Sequence, residues 1–106
     1  MADNIVLTEG VYLILLSLVN PLHGYGIIKS VSEKTNGRVN LAAGTLYGAI
    51  SNLLNRGWIV ELDGEAGSRK KEYIITEAGK DALMTEYRRL KELVMLAGDV
   101  LEERNE

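Results

Sequence analysis

The chain of 106 residues predicts a mainly α-helical fold with one small β-hairpin, an α+β domain in which three helices precede the hairpin and one long helix follows it. Three observations carry this. Apolar residues recur at helical spacing in four stretches, three of them closed by Asn20-Pro21, Asn36-Gly37 and Gly57. Between the third and fourth, residues 58–75 are β-branched and aromatic around a glycine-rich centre. The length and a 46% hydrophobic composition supply material for one core and no second.

The first helix is predicted from Asn4 or Thr8 to Val19, because proline cannot continue a helix and disfavours helical geometry in its predecessor. Its apolar residues cover nearly every face, and such a helix must be covered all round. A second chain is the expected cover, with Ile14 and Leu18 facing it. His23-Gly24-Tyr25-Gly26 opens a short second helix, with Ile27, Ile28 and Val31 at helical spacing and Asn36-Gly37 as a left-handed stop. The third helix spans Ala43 to Asn55, Leu46, Ile50, Leu53 and Leu54 on one face and Gly44, Thr45, Gly48, Ser51, Asn52 and Asn55 on the other. That second face is small, polar and uncharged. Strands at Trp58–Leu62 and Tyr73–Ile75 flank a tip at 63–68, and the return arm carries Arg69, Lys70 and Lys71. Thr76 N-caps the last helix, Glu77 suits its dipole, and Leu83, Tyr87, Leu90, Val94, Ala97 and Leu101 form a heptad seam. Leu93, Leu96 and Val100 lie beside that seam as a second stripe.

Composition excludes several functions. Without cysteine there is no disulfide framework or thiolate chemistry, and His23, the one histidine, has neither metal co-ligands nor an acidic orienting partner. His23 is expected to cap or lie at the surface. No nucleophile-base pair and no phosphate-cradling glycine loop occurs, so no enzyme, cofactor or metal is expected. Asp63-x-Glu65 at the tip offers too few oxygens for calcium, and Trp58, after a helix stop, is expected to pack. The apolar run Val11–Val19 is far shorter than the roughly 20 residues of a bilayer span. The first basic residue, Lys29, follows that run rather than preceding it, so a cytoplasmic protein is expected.

The net charge of −3 argues weakly against nucleic acid, but its distribution is uneven. From Pro21 to Trp58, Lys29, Lys34, Arg38 and Arg56 stand against Glu33 alone; from Asp81 onward seven acids face four bases. A basic front and an acidic back would look like this.

The order helix, helix, helix, hairpin, helix matches a winged helix-turn-helix. Gly44 and Gly48 would permit close approach to a major groove, Thr45, Ser51 and Asn52 would pair with base edges, and Arg69, Lys70 and Lys71 would lie along phosphates. The winged unit is expected over 1–76, and a dimerisation helix packed on the same domain over 77–106. Tyr25 and Tyr47 fit either a core position with a bonded hydroxyl or a phosphate contact. A winged-helix module that binds protein rather than DNA is the alternative, and the acidic net charge tolerates it better.

His-Gly-Tyr-Gly at 23–26, Gly-Thr-Leu-Tyr at 44–47, Gly-Trp-Ile at 57–59, Arg-Lys-Lys-Glu-Tyr at 69–73 and Thr-Glu-Ala-Gly at 76–79 together resemble PadR-like regulators, in the subtype with one C-terminal helix. The resemblance implies a repressor that binds a palindromic operator as a homodimer, released in some members by a small effector. It implies that Tyr25, Thr45, Tyr47, Lys70 and Lys71 lie near DNA, and that Leu90 and Val94 build the dimer interface with the first helix. Spare apolar surface between paired subunits, at Ile14, Leu90, Val94 and Met95, would then hold a hydrophobic effector. The chain departs from the pattern at Glu72, where similar proteins often carry an aromatic, and at Ile74, where they carry a base. Leu90 stands about where drug-binding members place a tryptophan, so a stacking drug pocket is not expected.

Overall fold

The computed structural model describes residues 6–63 and 71–102. Helix α1 (Glu9–Ser17) leads through strand β1 (Leu22–His23) into α2 (Gly24–Lys34) and α3 (Ala43–Asn55), followed by β2 (Ile59–Leu62), β3 (Glu72–Ile75) and α4 (Glu77–Leu101). The four helices and the hairpin arise where the sequence predicts them, and the bounds of α3 coincide. The strands form an antiparallel sheet in the order β1-β3-β2.

The starts of α1, α2 and α4 are each set by a local side-chain hydrogen bond. Thr8 accepts from the Val11 N–H at 3.2 Å, His23 Nδ1 from Gly26 at 3.3 Å, and Thr76 from Gly79 at 3.1 Å. These side chains satisfy N–H groups that the first turn leaves without a partner. The His23 bond gives the single histidine the expected capping role. Asn36 and Gly37 end α2 with φ of 53° and 79°, as a left-handed stop requires. Helix α1 starts after its capping threonine and stops short of Val19, because the backbone already leaves helical geometry at Leu18, with φ −92° and ψ 14°.

Strand β1 is a feature the sequence does not announce. It pairs Leu22 with Tyr73 and His23 with Glu72, covering the edge of β3 opposite β2. Two residues are too few to show a period of two.

The core gathers α1, α2, α3 and the sheet around Leu15, Ile27, Val31, Leu46, Leu53 and Ile59, all close to fully buried. Ile14 and Leu18 belong to this core at 1% and 0% exposure. The chain therefore covers that part of α1 by itself, and the two residues present no surface to a partner or effector. Trp58 packs as expected, at 9% exposure.

Helix α4 joins the domain through its first half, against α1 and β3. Glu86, 2% exposed, is the anchor. Arg89 grips its carboxylate from both oxygens at 2.8 and 2.6 Å, and the Leu7 backbone N–H donates to it at 3.3 Å. The Arg89 hydrogen bonds hold the Glu86 carboxyl below its ordinary pKa, against the opposing pull of burial. Beyond Leu90 the helix leaves the core behind.

Candidate nucleic-acid interface

Helix α3 turns Leu46, Ile50 and Leu53 inward. It leaves Gly44, Thr45, Gly48, Ser51 and Asn52 exposed on the opposite side. The structure thus gathers on one open face the three residues predicted to read bases, Thr45, Ser51 and Asn52, and the two glycines predicted to permit close approach, Gly44 and Gly48. At Gly44 and Gly48 a Cβ would meet nothing, so their small size leaves the backbone open to an approaching surface. Ala42 occupies the N-cap position of α3 and makes no side-chain hydrogen bond there.

Neighbouring groups restrict what this face can offer. Asn52 Oδ1 accepts from Arg56 Nε at 2.9 Å, which uses one of its two acceptor positions and leaves the amide NH2 free to donate to a base. The Arg56 guanidinium in turn lies over the Trp58 ring, 4.9 Å from the centroid. Sequence spacing alone could have found the first contact, since 52 and 56 are one turn apart.

The aim of α3 is fixed by the α2–α3 connection. Thr35 Oγ1 donates to Val31 O at 2.9 Å and accepts from Val39 N–H at 3.0 Å, while Asn40 bonds Gly37 O and Ser32. Arg38 reaches across to pair with Glu9 at the start of α1, and this hydrogen bond lowers the Glu9 pKa. Both side chains of this ion pair are well exposed, so it ties the connection to α1 only weakly.

The two tyrosines separate. Tyr25 is 70% exposed in the first turn of α2, as a phosphate contact requires. Tyr47 is half-exposed, yet its hydroxyl rests on Gly24, where any Cβ would collide with it. Tyr47 thereby spaces α3 from the start of α2, and Gly24 is a site residue that the sequence reading missed. Tyr73, buried in β3, links this corner to the hairpin: burial first, then Glu61 and Tyr47, push its hydroxyl pKa up.

Of the predicted basic arm, Arg69 and Lys70 lie outside the described residues. Lys71 is exposed and sits 3.8 Å from Glu61 on the facing strand. Among the described residues no group of three histidines, cysteines or carboxylates is placed to hold a metal ion, and no helix is long and apolar enough to cross a membrane.

Of the predicted dimer seam, Leu83 packs on the core and Leu90 is half-buried, whereas Tyr87, Val94, Ala97 and Leu101 are exposed. Met95 is exposed beside Val94, so the four residues expected around an effector do not converge within one chain, Ile14 being sealed in the core.

Solved structures share this architecture. A transcriptional regulator from Clostridium thermocellum aligns with 23% identity and a TM-score of 0.73, over 87% of this chain and 88% of that one. A PadR family transcriptional regulator from Eggerthella lenta aligns with 27% identity and the same TM-score, over 87% and 80%. A winged-helix DNA-binding protein from STIV, 21% identical, aligns over 78% and 88% with a TM-score of 0.68. A comparison with curated proteins finds no significant match. The fold is a winged helix, and a model of the PadR-like family, whose members are transcriptional regulators and not enzymes, matches residues 13–85; the chain belongs to that family.

Proposed function

We propose that this regulator is a cytoplasmic repressor that binds a palindromic operator as a homodimer. Residues 1–76 would form the winged helix-turn-helix unit and 77–106 the dimerisation helix. The observation that carries the reading is the outer face of α3, exposed along its length and built from glycine, threonine, serine and asparagine. Such a face admits a DNA backbone closely and offers hydrogen bonds to base edges. The DNA-binding activity of the STIV relative agrees with it.

The homodimer reading rests on the far half of α4. Leu93, Val94, Leu96, Val100 and Leu101 are all exposed there on one side of the helix, an apolar face that one chain leaves bare. Two copies related by a two-fold axis would bury it and set two α3 helices for two half-sites. A small hydrophobic effector, when present, would release the operator.

Polarisation measurements on the protein's own upstream DNA, against a scrambled duplex and at two salt concentrations, test the reading. The expected result is tighter binding to the native sequence. Equal binding to both, or none, would favour the protein-binding alternative, which the net charge of −3 and the Lys71–Glu61 pair already suit.

A further inference from the structure

Gly57, with φ of 75°, turns the chain at the end of α3 so that Trp58 comes to lie under Arg56. The tryptophan is fixed there. Its N–H donates to Leu53 O at 3.0 Å, its carbonyl accepts from the Thr76 N–H at 2.9 Å, and the residue is buried. The Arg56 guanidinium rests over the ring, 4.9 Å from the centroid, and its Nε donates to Asn52 Oδ1 at 2.9 Å. A buried platform thus steadies an exposed cation, and the cation holds one end of an exposed amide.

An asparagine amide has a donor end and an acceptor end, and turning it over about its last side-chain bond exchanges them. Unassisted on a helix that faces base edges, it would serve a donor or an acceptor there equally. Arg56 removes that freedom, because a guanidinium carries N–H donors and no acceptor, and a reversed amide would set its NH2 against them. We propose that Arg56 is a positioning residue for sequence readout, holding Asn52 with its NH2 turned away so that it selects a base offering an acceptor. The proposal rests on the reading of α3 as the helix that faces the base edges. In the major groove guanine presents the acceptors N7 and O6, whereas cytosine presents only its N4 amino donor. At the position it meets, Asn52 should therefore favour guanine and reject cytosine. Trp58 serves the same end at one remove, without touching DNA.

The test compares the full-length wild type with Asn52→Ala and Arg56→Met on duplexes in which each base pair of the native half-site is replaced in turn. Arg56→Met keeps an unbranched stem over Trp58 and removes every donor. The position at which Asn52→Ala loses its base preference marks the contact. There the wild type should favour guanine over cytosine by about tenfold, and Arg56→Met should cut this to about twofold or less. Preferences at other positions, and the melting temperature, should stay in place. An intact preference in Arg56→Met overturns the proposal. So does an equal loss on every duplex with the slope of log K against log salt flattened by roughly 1, the mark of a phosphate contact. A second measurement needs no DNA: exchange of the Arg56 Nε–H with water, followed by NMR, should be several-fold slower in the wild type than in Asn52→Ala. Equal exchange would overturn the hold on the amide itself. Slow exchange together with no base preference lost in Asn52→Ala would mean that the α3 reading fails at Asn52, and the role of Arg56 in readout with it.

Discussion

The outer face of α3 and the far half of α4 are both stripped of contact with the rest of the chain, and they are opposites in chemistry. The first shows glycine, serine, threonine and asparagine, which water solvates well; the second shows Leu93, Val94, Met95, Leu96, Val100 and Leu101, which it does not. Burying each such aliphatic side chain is worth about 1.5–3 kcal/mol. The α4 face thus fits a partner that stays, and the α3 face one that is read by hydrogen bonds and released. The largest expected effect breaks the first of these. Val94 is 71% exposed, so Val94→Asp should leave the fold of one chain intact. In a dimer it would bury an unpaired charge. Sedimentation should show the variant as a monomer and the wild type as a dimer, with operator affinity falling by about 10²- to 10⁴-fold as bivalent attachment is lost. A monomeric wild type would sink the architecture.

The two faces of α3 itself sharpen the contrast. Leu53, on the buried side, should lose about 2–5 kcal/mol of stability on truncation to alanine, by apolar transfer and the cavity left behind. Ser51, on the exposed side, should change stability by no more than about 0.5 kcal/mol. Ser51→Ala should instead weaken operator binding by about 1–3 kcal/mol and leave scrambled DNA nearly untouched. Denaturant unfolding and polarisation on both duplexes measure the two effects. Equal losses on operator and scrambled DNA would remove Ser51 from base readout.

Between these outward faces, Glu86 ties α4 to the N-terminal segment, and pH tests that tie. Its folded pKa lies below the ordinary 4.5, chiefly through Arg89. A depressed carboxylate contributes stability that is complete above the unfolded value and is lost as pH falls through the folded one. Stability should therefore decline from about pH 5 downward, as titration of the unfolded-state glutamate begins. Arg89 is one-third exposed, so solvent screening keeps the contribution small. Glu86→Gln should flatten that part of the profile; Glu9, which also titrates low, remains as a common background. An unchanged profile would mean that the Glu86 ion pair contributes nothing to folding.

What the sequence makes legible follows the same division between local and distant causes. The caps Thr8, His23 and Thr76, the stops at Asn36-Gly37 and Gly57, and the two faces of α3 all depend on residues within a turn or two of one another, and each can be read in advance. The burial of Ile14 and Leu18 could not be read so directly. A helix that is apolar all round does not say which of its faces the home domain will take. Glu86 and Leu7 lie 79 positions apart and Arg38 and Glu9 lie 29 apart, so no spacing rule finds those contacts. The seat of Tyr47 on Gly24 likewise exists only once α2 and α3 are packed together.

The smallest expected effect concerns Lys71, where local charge counting and tertiary structure pull apart. Sequence alone makes it one of three consecutive bases available to phosphate; in the fold it stands 3.8 Å from Glu61, with both side chains well exposed. An exposed ion pair of this kind is worth little and is screened by salt, so a phosphate can compete for the lysine. If it does, Lys71→Ala should weaken operator and scrambled DNA equally, since phosphate contacts carry no sequence information. The slope of log K against log salt should flatten by roughly 1. Glu61→Gln should move the other way, releasing Lys71 and tightening both duplexes slightly at low salt. If neither substitution changes the affinity or the slope, Lys71 belongs to the hairpin and not to the DNA contact, and the exposed face of α3 would have to bind with less electrostatic help than the sequence implies.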